Sequence, residues 1–283
     1  MPEPPQGEVR YLLDGAFYRM HYYEFGRPDL PPLVCVHGLT RNGRDFDALA
    51  MGLADRFHVI CPDLPGRGAS DWLPDASLYD LPSYIQALSH LLARIGRPVM
   101  FLGTSLGGIC GLQIASSLGH QIERLVLNDV GPMIPAAAIR HIRDYMVAAR
   151  PEFPDMLTLE AHIRKIHAPF GNLTDRQWEY LARISSRELP GGRVALHYDP
   201  GIAKPIRSFF AVDVDMWSWW KKIRIPVLAI RGENSDLLLP ETLQQMAKAG
   251  ASTLIVKEAG HAPALMDAPT IHAIRGFLTA ELV

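Results

Sequence analysis

Residues 98–119, PVMFLGTSLGGICGLQIASSLG, constrain the fold more than any other stretch of the chain. The apolar run PVMFLG, bounded by Pro98 and Gly103, reads as a short strand buried on both faces. LGGICGLQIASSLG reads as a helix, with small residues where it must lie close to a sheet. Between them Gly103-Thr104-Ser105-Leu106-Gly107 forms a G-x-S-x-G pentapeptide. Its two glycines predict a turn tight enough to lift the Ser105 hydroxyl above a parallel sheet, at the N-terminus of the next helix. A serine held there can attack an electrophilic carbon if a base and an orienting acid come from elsewhere in the chain.

The same strand–helix alternation runs through the flanking sequence. Residues 1–8 are expected to fray, and Val9 to Leu13, Asp14-Gly15 and Phe17 to Phe25 read as a hairpin with a DG turn. LVCVHG (33–38) reads as a buried strand and DFDALAMGLA (45–54) as a helix with Asp45 as its cap. FHVICPD (57–63) is a second short strand, running into the turn PDLPGRG. Pro82 to Ile95 has helical periodicity, and IERLVLND (122–129) is again an apolar strand. Runs that are apolar without alternating predict a mostly parallel sheet covered on both faces, an α/β fold.

The rhythm stops after Gly131-Pro132. Residues 133–217 contain helical patterns near 136–149, 158–167 and 174–186, broken by prolines and by Gly191-Gly192, with no convincing buried strand. It resumes with IPVLAIRG (225–232), a helix near 240–249, STLIVKEAG (252–260) and a closing helix near 269–281. The expected organisation is a core of residues 1–132 and 218–283 with an all-helical cap, 133–217, inserted between two strands. Ligands of open α/β sheets bind beyond the C-terminal strand ends, where such an insertion would form a lid.

A length of 283 residues suits one large α/β domain. The net charge of −2 argues against a broad polyanion-binding face, so no nucleic-acid partner is expected. Cys35, Cys61 and Cys110 fall within apolar segments and read as buried thiols, with no C-x-x-C spacing. The opening residues lack a basic region followed by an apolar run, and no stretch of 18 apolar residues occurs. The expectation is therefore a cytoplasmic protein with no membrane partner, as a monomer or homodimer. His141, His162, His167 and His197 lack a compact metal spacing, and neither a P-loop nor G-x-G-x-x-G is present, so no metal and no cofactor are expected.

Strand ends supply the residues that would complete Ser105. His261, in AGHAP directly after the last strand, is placed to act as general base. The acid has two candidates: Asp236, in RGENSD after the 226–231 strand, is preferred, and Asp129, in NDVGP after the 124–127 strand, is the reserve. The order Ser105, Asp236, His261 is the one expected when a triad is built on such a sheet. Backbone N–H groups of Leu39 and Leu106 could face a developing oxyanion. His37 reads either as a residue that orders the loop or as one that titrates usefully, and Glu233 as loop-ordering. Arg41, Arg140, His141, His162 and His167 could meet an anionic carboxylate, although each also suits a solvated or structural place. Met133, Ile134, Phe153, Phe170, Trp178, Trp217 and Trp220 could line an apolar pocket, or pack cap against core.

With HGL (37–39), PDLPGRGAS (62–70), GTSLG (103–107), RGENSD (231–236) and GH (260–261) in this order, the sequence resembles the α/β-hydrolase superfamily, in its single-domain form with a helical cap. The resemblance covers essentially the whole chain, more loosely in the cap. It implies an eight-stranded sheet, Ser105 as nucleophile, Asp236 as acid, His261 as base, and oxyanion donors at Leu39 and Leu106. Asp129 matches the place where some members carry their acid instead. Serine at the elbow disfavours the haloalkane dehalogenases and epoxide hydrolases, which use aspartate there. Leu106 departs from the tryptophan usual in prolyl aminopeptidases, and Ala262-Pro263 from the aromatic residue often beside the histidine of C–C bond hydrolases. The expectation is a serine hydrolase of small carboxylic esters or lactones. Its alternatives are a C–C bond hydrolase of vinylogous 1,5-diketones, an acyltransferase or cofactor-free perhydrolase, and a non-catalytic small-ligand-binding module.

Overall fold

Each half of the molecule is organised by short apolar runs that must be buried on both faces. In the computed structural model, which describes residues 3–148, 152–207 and 211–280, β1 (Gln6–Leu13) and β2 (Ala16–Phe25) form the expected hairpin. Residues 6–8 are paired opposite Tyr23, Tyr22 and His21, so the fraying expected there does not occur. The chain continues through β3 (Pro32–Val36), α1 (Asp47–Leu53), β4 (His58–Pro62), α2 (Leu81–Ile95), β5 (Val99–Thr104), α3 (Leu106–Ala115) and β6 (Ile122–Asn128). Next come β7 (Met133–Ile134), α4 (Ala136–Ala148), β8 (Glu152–Phe153), α5 (Met156–Ile166), α6 (Asp175–Ile184), β9 (Ser186–Glu188), β10 (Val194–Leu196), α7 (Ala203–Arg207) and β11 (Val214–Asp215). It closes with α8 (Trp217–Trp220), β12 (Val227–Gly232), α9 (Pro240–Lys248), β13 (Ser252–Val256) and α10 (Ala268–Thr279). Residues 149 and 281, where two of the expected helices end, lie outside the described residues.

Eight strands form one sheet in the order β1-β2-β4-β3-β5-β6-β12-β13. The pairings β1–β2 and β2–β4 are antiparallel, and all the others are parallel. Successive residues of a strand face opposite sides. Val34 and Val36 accordingly join Phe101, Leu125 and Leu127 beneath α2 and α3, whereas Leu33 and Cys35 join Leu102, Val126 and Ile230 beneath α1 and α10. The three cysteines are buried thiols. Burial pushes the Cys110 thiol up to about 12, far from a reactive thiolate.

Several local signals act differently from expectation. Asn42, not Asp45, caps the turn before α1, its side chain accepting from the Arg44 N–H at 3.0 Å. Asp45 instead takes the Arg41 guanidinium. The strand expected over 252–260 stops at Val256, because Glu258 adopts a φ of +58°. Residues 133–217 are not wholly helical. They hold a three-stranded antiparallel sheet, β8-β10-β9, and a β7–β11 pair that ties the start of the insertion to its end. Runs of two or three residues are too short for periodicity to reveal.

Candidate active site

The turn after β5 holds Ser105 at φ 51° and ψ −113°, a conformation a non-glycine residue enters only when its surroundings enforce it. Here the enforcement is backbone crowding. A Cβ at Gly103 would lie 2.3 Å from the Gly107 carbonyl carbon, and one at Gly107 would lie 2.1 Å from the Val36 oxygen. Glycine at both positions lets α3 start almost in contact with β3 and β5. The Ser105 N–H donates to the Asn128 carbonyl at 3.0 Å, tying the turn to β6.

His261 arrives on the loop that follows β13. That loop is anchored from two sides: Gly260 N–H donates to the Pro169 carbonyl at 2.7 Å, and Asn234 N–H to the Ala259 carbonyl at 2.8 Å. The Ser105 hydroxyl meets His261 Nε2 at 3.1 Å, and Nδ1–H donates to Asp129 Oδ2 at 2.6 Å. Asp129 sits one residue beyond β6, at φ +55°, with no exposed surface. Its carboxylate also accepts from the Gly232 N–H at 2.9 Å and the Ser235 hydroxyl at 2.6 Å. Three donors therefore converge on a group that, when ionised, can only accept.

The acid expected at Asp236 is thus corrected: the structure brings Asp129 to His261. Asp236 lies at the cavity rim, 56% exposed, and accepts from His141 Nδ1 of α4 at 2.8 Å. The cause is the turn after β12. Ser235 N–H bonds back to the Gly232 carbonyl, and buried Arg231 donates to the carbonyls of Leu238, Glu233 and Ser235 at 2.6, 2.8 and 2.9 Å. In the loop so held, the Ser235 hydroxyl points inward to Asp129 and the next side chain points out. Glu233 accepts from the Glu258 N–H at 3.0 Å, a loop-ordering contact.

His37 is fully buried and orders two loops: Nδ1–H donates to the Gly38 carbonyl at 2.7 Å, and Nε2 accepts from the Leu64 N–H at 2.9 Å. Burial pushes its pKa down to about 4, with neighbouring Asp63 opposing in part. Leu39 lies in the loop so ordered. Its carbonyl accepts from Nε of fully buried Arg67 at 2.9 Å, and Gly38 beside it is close enough that a Cβ there would sit 3.7 Å from Ser105 Cβ. Leu106 is the first residue of α3, so its N–H has no partner within the helix.

A cavity of about 590 Å³ opens over Ser105 and His261. Leu39 and Arg41 line it from the core, and His141, Ile142, His167 and Phe170 from the insertion. Of the expected pocket aromatics only Phe170 lines it; Phe153, Trp178 and Trp220 are buried in the packing of the insertion and its junction with the core, while Arg140 is exposed. His162 lies with its ring 4.9 Å from that of Phe153, away from the cavity wall. Among the described residues no group of three or more His, Cys, Asp or Glu could hold a metal ion, and no helix is long and apolar enough to cross a membrane.

Ser105, Asp129, Arg231 and Ser235 show how little of the site lies in one motif. Arg231 and Ser235 lie in RGENSD and Arg67 in PDLPGRGAS, motifs that mark the loops without assigning these three side chains a role.

A parallel sheet with a serine at a strand-to-helix elbow, and a histidine and carboxylate at later strand ends, is the arrangement of an α/β-type hydrolase. The profile of the Alpha/beta hydrolase family matches residues 33–273, and the chain belongs to that family. It is 37% identical to a 3-hydroxybutyrate-oligomer hydrolase of Cupriavidus necator, the match covering 98% of each chain. It is 25% identical to 2-(acetamidomethylene)succinate hydrolase of Mesorhizobium japonicum, over 77% of this chain and 76% of the relative. Among solved structures, an α/β hydrolase of Novosphingobium aromaticivorans superposes with a TM-score of 0.86 at 33% identity, covering 98% of this chain and 99% of the other.

Proposed function

We propose that the protein hydrolyses small carboxylic esters or lactones through an acyl-enzyme on Ser105, with His261 as base, Asp129 as acid and 133–217 as the cap over the site. The observation that carries this reading is the unbroken chain of contacts from Ser105 Oγ through His261 to Asp129 Oδ2, at 3.1 and 2.6 Å. His261 Nε2 takes the Ser105 proton as the hydroxyl attacks the ester carbonyl. The N–H groups of Leu39 and Leu106 stabilise the tetrahedral oxyanion, and loss of one such donor in a comparable site costs roughly 3 kcal/mol. His261 then protonates the leaving alcohol, and afterwards draws a proton from the water that releases the acid. Asp129 orients the imidazole and holds its proton on Nδ1.

A cavity of about 590 Å³ suits a small-molecule substrate. The full-length likeness to a 3-hydroxybutyrate-oligomer hydrolase makes ester bonds between short hydroxyacids the first substrates to test. Ser105→Ala should fold as the wild type does and lose essentially all turnover of p-nitrophenyl acetate and of a 3-hydroxybutyrate dimer. Turnover retained in that variant would refute the scheme.

A further inference from the structure

Arg41 takes no part in these steps, yet it stands in the wall of the reaction cavity and is only 5% exposed. Its Nε–H and an Nη2–H donate to the two oxygens of Asp45 at 2.8 and 2.6 Å, and an Nη1–H donates to His167 Nε2 at 3.3 Å. Among the described residues these contacts use three of the five guanidinium N–H bonds, leaving one on Nη1 and one on Nη2. Asp45 fixes the plane of the group. The Phe170 ring lies 5.7 Å from the guanidinium carbon, and His167 stacks on Phe170 at 4.5 Å. Burial and the Arg41 charge hold His167 well below the ordinary histidine pKa, so it faces Arg41 as a neutral acceptor. The other charged groups of the wall are engaged elsewhere: Asp236 with His141, and Glu258 with Asn172.

We propose that Arg41 docks a free carboxylate of the substrate, so that the site prefers esters carrying one, as a hydroxyacid oligomer does at one end. The proposal rests on the ester-hydrolase reading of the Ser105 site. A guanidinium presents planar, directed donors that match a carboxylate, and such charge-assisted bonds are strongest where water is scarce. Arg41 also lies two residues from Leu39, so a carboxylate held there belongs to a molecule small enough to reach the oxyanion position. With Asp45 balancing the charge, discrimination comes from the two directed N–H bonds rather than from excess positive potential.

The test compares 3-acetoxybutyrate with its neutral primary amide at pH 7.5, the acetyl ester being the bond cleaved in both. In the wild type kcat/KM should favour the acid by about tenfold or more, a modest value for a hydrogen-bonding site that loses its partner. In Arg41→Gln the ratio should fall to within about threefold of one, through a higher KM for the acid. Independently of any variant, 3-hydroxybutyrate should inhibit the wild type competitively while 3-hydroxybutyramide should not. Equal kcat/KM for acid and amide in the wild type, or a preference that survives in Arg41→Gln, would overturn the proposal and leave Arg41 as a link between core loop and cap. Failure to cleave either compound or p-nitrophenyl acetate would instead overturn the ester-hydrolase reading, and this proposal with it.

Discussion

Asp129 and Asp236 are both aspartates within a few residues of a strand end, and at that resolution a sequence does not separate them. What separates them is backbone direction. Asp129 turns inward because it enters the left-handed region at φ +55°, while the Arg231-pinned turn after β12 leaves Asp236 outside. Neither feature has a compositional signature, since aspartate tolerates positive φ without announcing it. Ser105 and His261 were legible because glycines flank the first and directly precede the second. The inward Ser235 hydroxyl, 2.6 Å from Asp129 Oδ2, carries a prediction of its own. Ser235→Ala removes a buried bond to a charged acceptor, so urea unfolding should report a loss of about 1.5–3 kcal/mol. Because Asp129 keeps its bond from Gly232, kcat should fall by about tenfold with KM little changed.

At the scale of elements, the core was legible and the insertion only in outline. The apolar runs that predict strands at 33–38, 57–63, 98–103 and 122–129 appear as β3, β4, β5 and β6, with ends shifted by at most two residues. Burial on both faces makes such runs conspicuous. The two- and three-residue strands of the insertion lack that length and pass unnoticed. The surroundings of two helical glycines, one in α3 against the sheet and one in α10, predict opposite outcomes for one substitution. Gly107→Ala would drive a Cβ to within 2.1 Å of the Val36 oxygen, so it should cost more than about 4 kcal/mol or prevent soluble expression. Gly276→Ala, within α10 and with nothing inside 4 Å, should stabilise by about 0.5–1 kcal/mol. Urea midpoints of the two variants test both signs.

For the whole molecule, buried neutral histidines tie stability to pH. His37 is held from 6.5 down to about 4, and His167 also lies well below its ordinary value, both chiefly by burial. Between these limits the unfolded chain binds protons that the native state refuses, so the contribution is full above about pH 6.5 and is lost as pH falls towards 4. From pH 7.5 to pH 5, His37 alone should remove about 2 kcal/mol of unfolding free energy. A urea midpoint unchanged across that range would contradict this. The same His37 bonds join the loops at Gly38 and Leu64, so the loop that carries Leu39 should loosen as pH falls to about 4, where the native imidazole takes a proton on Nε2.

In the proposed mechanism the Ser105–His261 pair works through Asp129. Its most direct test is kcat on one uncharged ester, such as p-nitrophenyl acetate, for the wild type, Asp129→Asn and Asp236→Asn in parallel. Asp129→Asn should lose roughly 10³–10⁴ in kcat, from the wrong imidazole tautomer, and Asp236→Asn should change by no more than about tenfold. The reverse ranking, with Asp236→Asn the more damaged enzyme, would contradict that mechanism.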